Sequence, residues 1–92
     1  MFEYTTNLTV DHEIFNRTCH TIQKNCKDAK IEDYLVDVDG SEIMLFSTPK
    51  GKIKVFNDCD IDAVYVESEI PLQLGSLEID LKTHKRKSGN PF

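Results

Sequence analysis

The stretch Tyr34-Leu35-Val36-Asp37-Val38-Asp39-Gly40-Ser41-Glu42-Ile43-Met44-Leu45-Phe46-Ser47 decides the fold. Apolar residues recur there at a period near two, the spacing of strands rather than of a helix. Asp39-Gly40 lies between the two runs and is a two-residue hairpin signal, because both central positions of a type I′ turn need positive φ, which Gly and Asp tolerate. Residues 34–38 and 42–47 are therefore expected as paired antiparallel strands. Downstream, Pro49, Lys50 and Gly51 read as a turn. Residues 52–56 alternate lysines with apolar side chains, as a strand with one wet face would. Residues 57–60 read as loop and 61–67 as a further strand. Two short alternating runs, 70–74 and 77–81, flank Gly75-Ser76, a second hairpin signal, and Pro71 assigns the first of them to a sheet edge.

Upstream the period lengthens. Ile14, Phe15, Cys19, Ile22 and Cys26 recur at spacings of three and four, which predicts one amphipathic helix from about Val10 to about Asp28. Thr9 is the expected N-cap, Asp11 and Glu13 favour the positive end of the helix dipole, and Lys24 and Lys27 favour the other end. An extended segment over residues 2–6 precedes it. The fold class is α+β: one N-terminal helix packed on an antiparallel β-meander of about five or six strands. Ile14, Phe15, Ile22, Leu35, Val55, Ile79 and Leu81 are the expected core. Residues 1–81 form one domain, and residues 82–92, where Lys82, Lys85, Arg86 and Lys87 gather, are expected as a mobile basic tail.

With 92 residues, one core is available and its stability margin is thin, so burying further surface in a homodimer would help. No apolar run approaches the ~18 residues of a membrane span, and the first residues lack the basic and apolar regions of a signal peptide. The cytoplasm is the expected location. Cys19, Cys26 and Cys59 cannot all pair within one chain, and a reducing compartment keeps them as thiols. Asn7-Leu8-Thr9 and Asn16-Arg17-Thr18 match the glycosylation pattern, which has no consequence in that compartment.

Catalytic and metal motifs are weak. Asp58, Asp60, Asp62 and Glu69 fall at positions one, three, five and twelve of a calcium loop, but position six is Ala63 where glycine is needed, and strand-like Val64-Tyr65-Val66 follows where a helix should. His12, Cys19, His20 and Cys26 have no Cys-x-x-Cys pairing for zinc. Cys19 and His20 are adjacent on a helix and point about 100° apart, which does not suit a nucleophile and its base. The four glycines, Gly40, Gly51, Gly75 and Gly89, are isolated and form no phosphate loop. Neither a cofactor nor enzymatic activity is expected.

The acids are distributed unevenly. Residues 31–49 hold Glu32, Asp33, Asp37, Asp39 and Glu42 without a Lys or Arg, and residues 55–81 hold Asp58, Asp60, Asp62, Glu67, Glu69, Glu78 and Asp80, again without one. These twelve are most of the sixteen acids in the chain. Setting aside the four bases of the tail leaves seven of eleven against all sixteen acids, a net of −9 for residues 1–81 compared with −5 overall. Many acids occur as i, i+2 pairs: Asp37 with Asp39, Asp58 with Asp60 and Asp62, Glu67 with Glu69, Glu78 with Asp80. On a strand each pair shares a face about 6.8 Å apart, which is of the order of the phosphate spacing along DNA. Any half-wet sheet alternates charge with apolar residues. Uniform sign is less usual, because like charges destabilise a compact state.

In length, acidity and helix-then-strands order the chain resembles the Arn family of phage anti-restriction proteins, with residues 31–49 and 55–81 carrying the resemblance and no short motif involved. The resemblance implies a DNA mimic that binds host DNA-binding proteins, a modification-dependent restriction endonuclease or a nucleoid protein, through its acids, and a dimer that extends the charged surface. The basic tail departs from that pattern. A generic acidic protein-interaction module, such as an immunity protein, is the alternative.

Overall fold

The computed structural model describes residues 1–86. Its main sheet has five strands, β1 (Phe2–Asn7), β2 (Lys30–Val36), β3 (Glu42–Thr48), β4 (Gly51–Asp58) and β5 (Ala63–Ser68), in the spatial order β1-β5-β4-β3-β2. All neighbours are antiparallel. The α-helix of the described residues, α1 (His12–Asn25), connects the two edge strands, and the meander β2 to β5 returns to pair with β1. The result is the expected α+β fold with a helix on a sheet.

Period two explains the packing. Ile53 and Val55 of β4, Val64 and Val66 of β5 and Phe46 of β3 point to the helix side and are buried with Phe15, Cys19 and Ile22 of α1. The helix begins later than its composition suggests. Asp11, in extended backbone, is the N-cap, its Oδ1 accepting the Ile14 N–H at 3.0 Å. Thr9 is instead held by Asn7, whose Nδ2 donates to Thr9 O and Oγ1. The helix ends at Asn25, before Asp28.

Other expectations are corrected. The β2–β3 connection is no type I′ turn: Gly40 has φ 89°, but Asp39 is not in the left-handed region. Gly40 N–H donates to Asp37 O, and Asp37 N–H donates to Ser41 O, the pattern of a turn closed by a left-handed glycine. Residues 70–74 are not a strand. Ile70, Leu72, Leu74 and Leu77 instead pack over the core beside α1, Leu72 N–H donating to the Tyr4 hydroxyl at 2.8 Å, so their alternation reflects docking without pairing. Gly75–Leu77 is a short 3₁₀ turn. Leu35 and Leu81 are 46% and 56% exposed, because Leu35 faces the uncovered side of the edge strand and Leu81 follows β6 (Ile79–Asp80) in a small hairpin with β7 (Lys85–Arg86). Within the expected tail, Arg86 donates to Thr6 O, Leu77 O and Asn7 Oδ1, fastening that hairpin beside β1. Residues 87–92 lie outside the described residues. No helix of the described residues is long and apolar enough to cross a membrane.

Candidate functional site

Register fixes which acids meet. The end of β2 (Val36), the start of β3 (Glu42), the end of β4 (Asp58), the start of β5 (Ala63) and the start of α1 all lie at one end of the sheet. The turns projecting from that end carry Asp37 and Asp39 on one side and Asp60 and Asp62 on the other. Asp11 and Glu13 of the helix start join them, two acids outside the base-free stretches that a helical-dipole reading alone had explained. The remaining candidates are elsewhere. Glu32 and Asp33 are on β2, Glu67 faces Lys54 across the β4–β5 pair, Glu69 lies past the opposite end of β5, and Glu78 and Asp80 are beside β6.

None of the i, i+2 pairs stands within a strand as expected, since each has at least one member in a turn or loop. Aspartates collect at turns because their carboxylates accept nearby backbone N–H groups. Asp37 Oδ1 takes Val38 N–H at 2.7 Å, Asp39 Oδ1 takes Ser41 N–H at 2.9 Å, and Asp58 Oδ1 takes Asp60 and Ile61 N–H. Asp62, itself at φ 61°, accepts Val10 N–H at 3.0 Å and ties the β4–β5 turn to the helix entrance. Rows of strand carboxylates are therefore replaced by two acidic knuckles. The calcium pattern also fails in space, because Glu69 is at the other end of β5 from Asp58, Asp60 and Asp62, and no group of three potential metal ligands forms among the described residues.

Glu42 differs from its neighbours. It is 6% exposed, and three side chains reach it: His12 Nδ1 at 2.8 Å, Asn57 Nδ2 at 2.9 Å and the Tyr34 hydroxyl at 2.5 Å. Burial pushes its carboxyl up, but the hydrogen bonds from His12, Tyr34 and Asn57 together outweigh burial and hold it below the ordinary carboxylate value. The same contact raises His12 above the ordinary imidazole value, and Glu42 likewise raises Tyr34. Glu42 thus stays charged inside the molecule, fastening helix to sheet, and is not a surface acid. Asp58 is also held below its ordinary value, since the Ile61 and Asp60 N–H groups and the Tyr65 hydroxyl overcome its burial. Burial pushes the Cys19 thiol up to about 12, so it packs as an inert apolar group.

Ion pairing separates the two ends. Among the described residues the ion pairs include His12–Glu42 and Lys52–Glu32, and no described Lys or Arg lies within 4.0 Å of Asp37, Asp39, Asp58, Asp60 or Asp62. No family model, curated protein or solved structure matches the chain. What the site can do rests on its own chemistry: an uncompensated anionic end attracts cations over the range of a Debye length, about 8–10 Å at ordinary salt. Apolar tips interrupt it. Val38 and Ile61, 103% and 63% exposed, sit among these acids, and charge counting gave no reason to single them out.

Proposed function

We propose that the protein is a DNA-mimicking inhibitor whose acidic end occupies the basic surface of a DNA-binding protein. The observation that carries this reading is the gathering of Asp37, Asp39, Asp58, Asp60 and Asp62 at one end without a cationic neighbour among the described residues. Such an arrangement destabilises the fold by self-repulsion, a cost that a cationic partner would reverse. The partner class implied by the Arn-family resemblance is a modification-dependent restriction endonuclease, with a nucleoid protein as the second candidate, both in the host cytoplasm. No catalytic step is needed for this activity. Edge strand β2, exposed along its length, is the surface through which a homodimer would extend the sheet.

The apolar tips Val38 and Ile61 favour one further reading, an acidic protein-interaction module that does not compete with DNA. Displacement decides between them. A restriction endonuclease of that class is preloaded with labelled duplex and titrated with the protein at low and moderate salt. The expected result is release of duplex, weakening as salt rises but less steeply than DNA binding itself, because a folded protein lacks the condensed counterions whose release drives duplex binding. A stable ternary complex with the duplex still bound excludes the mimic and leaves the interaction module.

A further inference from the structure

Between the two acidic turns the uncovered face of the sheet forms a groove of about 300 Å³. Its floor is apolar, made by Ile43 of β3, Phe56 of β4 and Ile61 of the β4–β5 turn, with Asp37 and Asp39 along one rim and Asp60 on the other. Ile43 and Phe56 are direct register partners. The Phe56 ring stacks on Tyr65 with centroids 4.6 Å apart and an interplanar angle of 11°, and Tyr65 is fixed in turn by its hydroxyl donating to Asp58 Oδ2 at 2.9 Å. The floor is therefore a preformed apolar surface.

A metal ion finds no ligands on such a floor, and an apolar ligand leaves the rim charges unanswered. A side chain with an aliphatic stem and a cationic head answers both, the stem covering Ile43, Phe56 and Ile61 while the head meets the rim. Arginine fits better than lysine because its guanidinium is planar, more weakly hydrated and able to donate to carboxylates on two sides. We infer that this groove receives an arginine side chain presented by a protein partner. The inference rests on the acidic-end reading above and names the chemistry of the partner's anchor.

The test is an NMR titration of the full chain with acetyl-arginine amide, with acetyl-citrulline amide, acetyl-lysine amide and sodium chloride as comparisons. Saturable shifts confined to Ile43, Phe56 and Ile61, produced by the arginine amide and not by its uncharged citrulline counterpart, are expected. Ile61→Ser, on an exposed turn, should weaken binding about fourfold for each stem methylene left uncovered, and Asp60→Asn about twofold to fivefold. Equal response to citrulline or to salt overturns the groove, as do shifts that follow the protein's own concentration. Lysine amide binding as tightly as arginine amide overturns the choice of arginine. A diffuse response over all the acids removes the groove but not the acidic-end reading, whose failure is read separately in the duplex displacement.

Discussion

The two ends of the sheet use the same residue types in opposite ways. At the end where β4 begins, Lys52 Nζ meets Glu32 at 2.6 Å and Lys52 N–H donates to Glu69 Oε1 at 2.6 Å, so both acids are tied into the fold. Gly51 is required there because a Cβ would lie 2.8 Å from Glu69 Cβ. At the other end Asp37, Asp39 and Asp58 hold backbone N–H groups of their own turns, Asp62 holds the helix entrance and Asp60 holds nothing, and among the described residues no base pairs with any of the five. Among the described residues only Glu42 is both charged and buried. Acid count therefore says little about role; what matters is whether a partner lies within reach.

The largest effect should come from the residue beneath that Glu42 network. Phe15 is fully buried and its ring lies 6.4 Å from that of His12 and 6.3 Å from that of Tyr34. Phe15→Ala should cost about 3–5 kcal/mol, enough to unfold a small domain, as read by urea denaturation. Wild-type stability in that variant would mean that the helix does not complete the core. Glu42→Ala comes next. Unlike any turn aspartate, it leaves the buried Asn57 amide without its acceptor, and about 1–3 kcal/mol should be lost. If Asp39→Ala cost as much, the distinction between the buried and the outward acids would fail.

The helix and the central strands were legible because their periodicity is local. Ile14 to Cys26 repeat as a helix, and residues 42–47 and 52–56 repeat as strands, within a few residues of where they occur. Pairing of β1 with β5 was not legible, since Thr5 meets Tyr65 and nothing in either segment encodes a partner so distant in sequence. The acidic character was legible as composition, but its geometry was not: i, i+2 spacing occurs equally in strands and in turns, and turn aspartates were read as strand faces. The burial of Glu42 depends on His12 and Asn57, thirty and fifteen positions away, so it looked like one more surface acid. Arg86 was hidden similarly in a basic run.

Protonation sharpens the contrast between Glu42 and the turn acids. His12 is raised above its ordinary value of 6.5, so its contribution is fully present below that value and is lost as pH rises through the raised one. Glu42 is lowered from 4.5, so its contribution is present above that value and is lost as pH falls through the lowered one. The network is strongest between the two. Melting temperature should decline as pH rises from about 6 to 8 in the wild type and decline less in His12→Gln. Parallel profiles would mean that the His12–Glu42 contact adds nothing in solution.

The smallest effect tests the comparison most directly, because it depends on sign. Asp60 has no hydrogen-bonding or ionic partner for its carboxylate among the described residues, while Glu32 holds Lys52. Removing the charge from Asp60 relieves repulsion from Asp58 and Asp62, whereas removing it from Glu32 discards an attraction. Asp60→Asn should therefore raise stability and Glu32→Gln lower it, each by no more than about 0.5 kcal/mol because both sites are exposed. Screening should erase both differences, since the Debye length falls to about 3 Å in molar salt. Melts of the two variants and the wild type, at low salt and in molar sodium chloride, provide the measurement. Equal signs at low salt, or differences that survive screening, would show that the acidic end is not under electrostatic tension and would remove the physical reason for a cationic partner to prefer it.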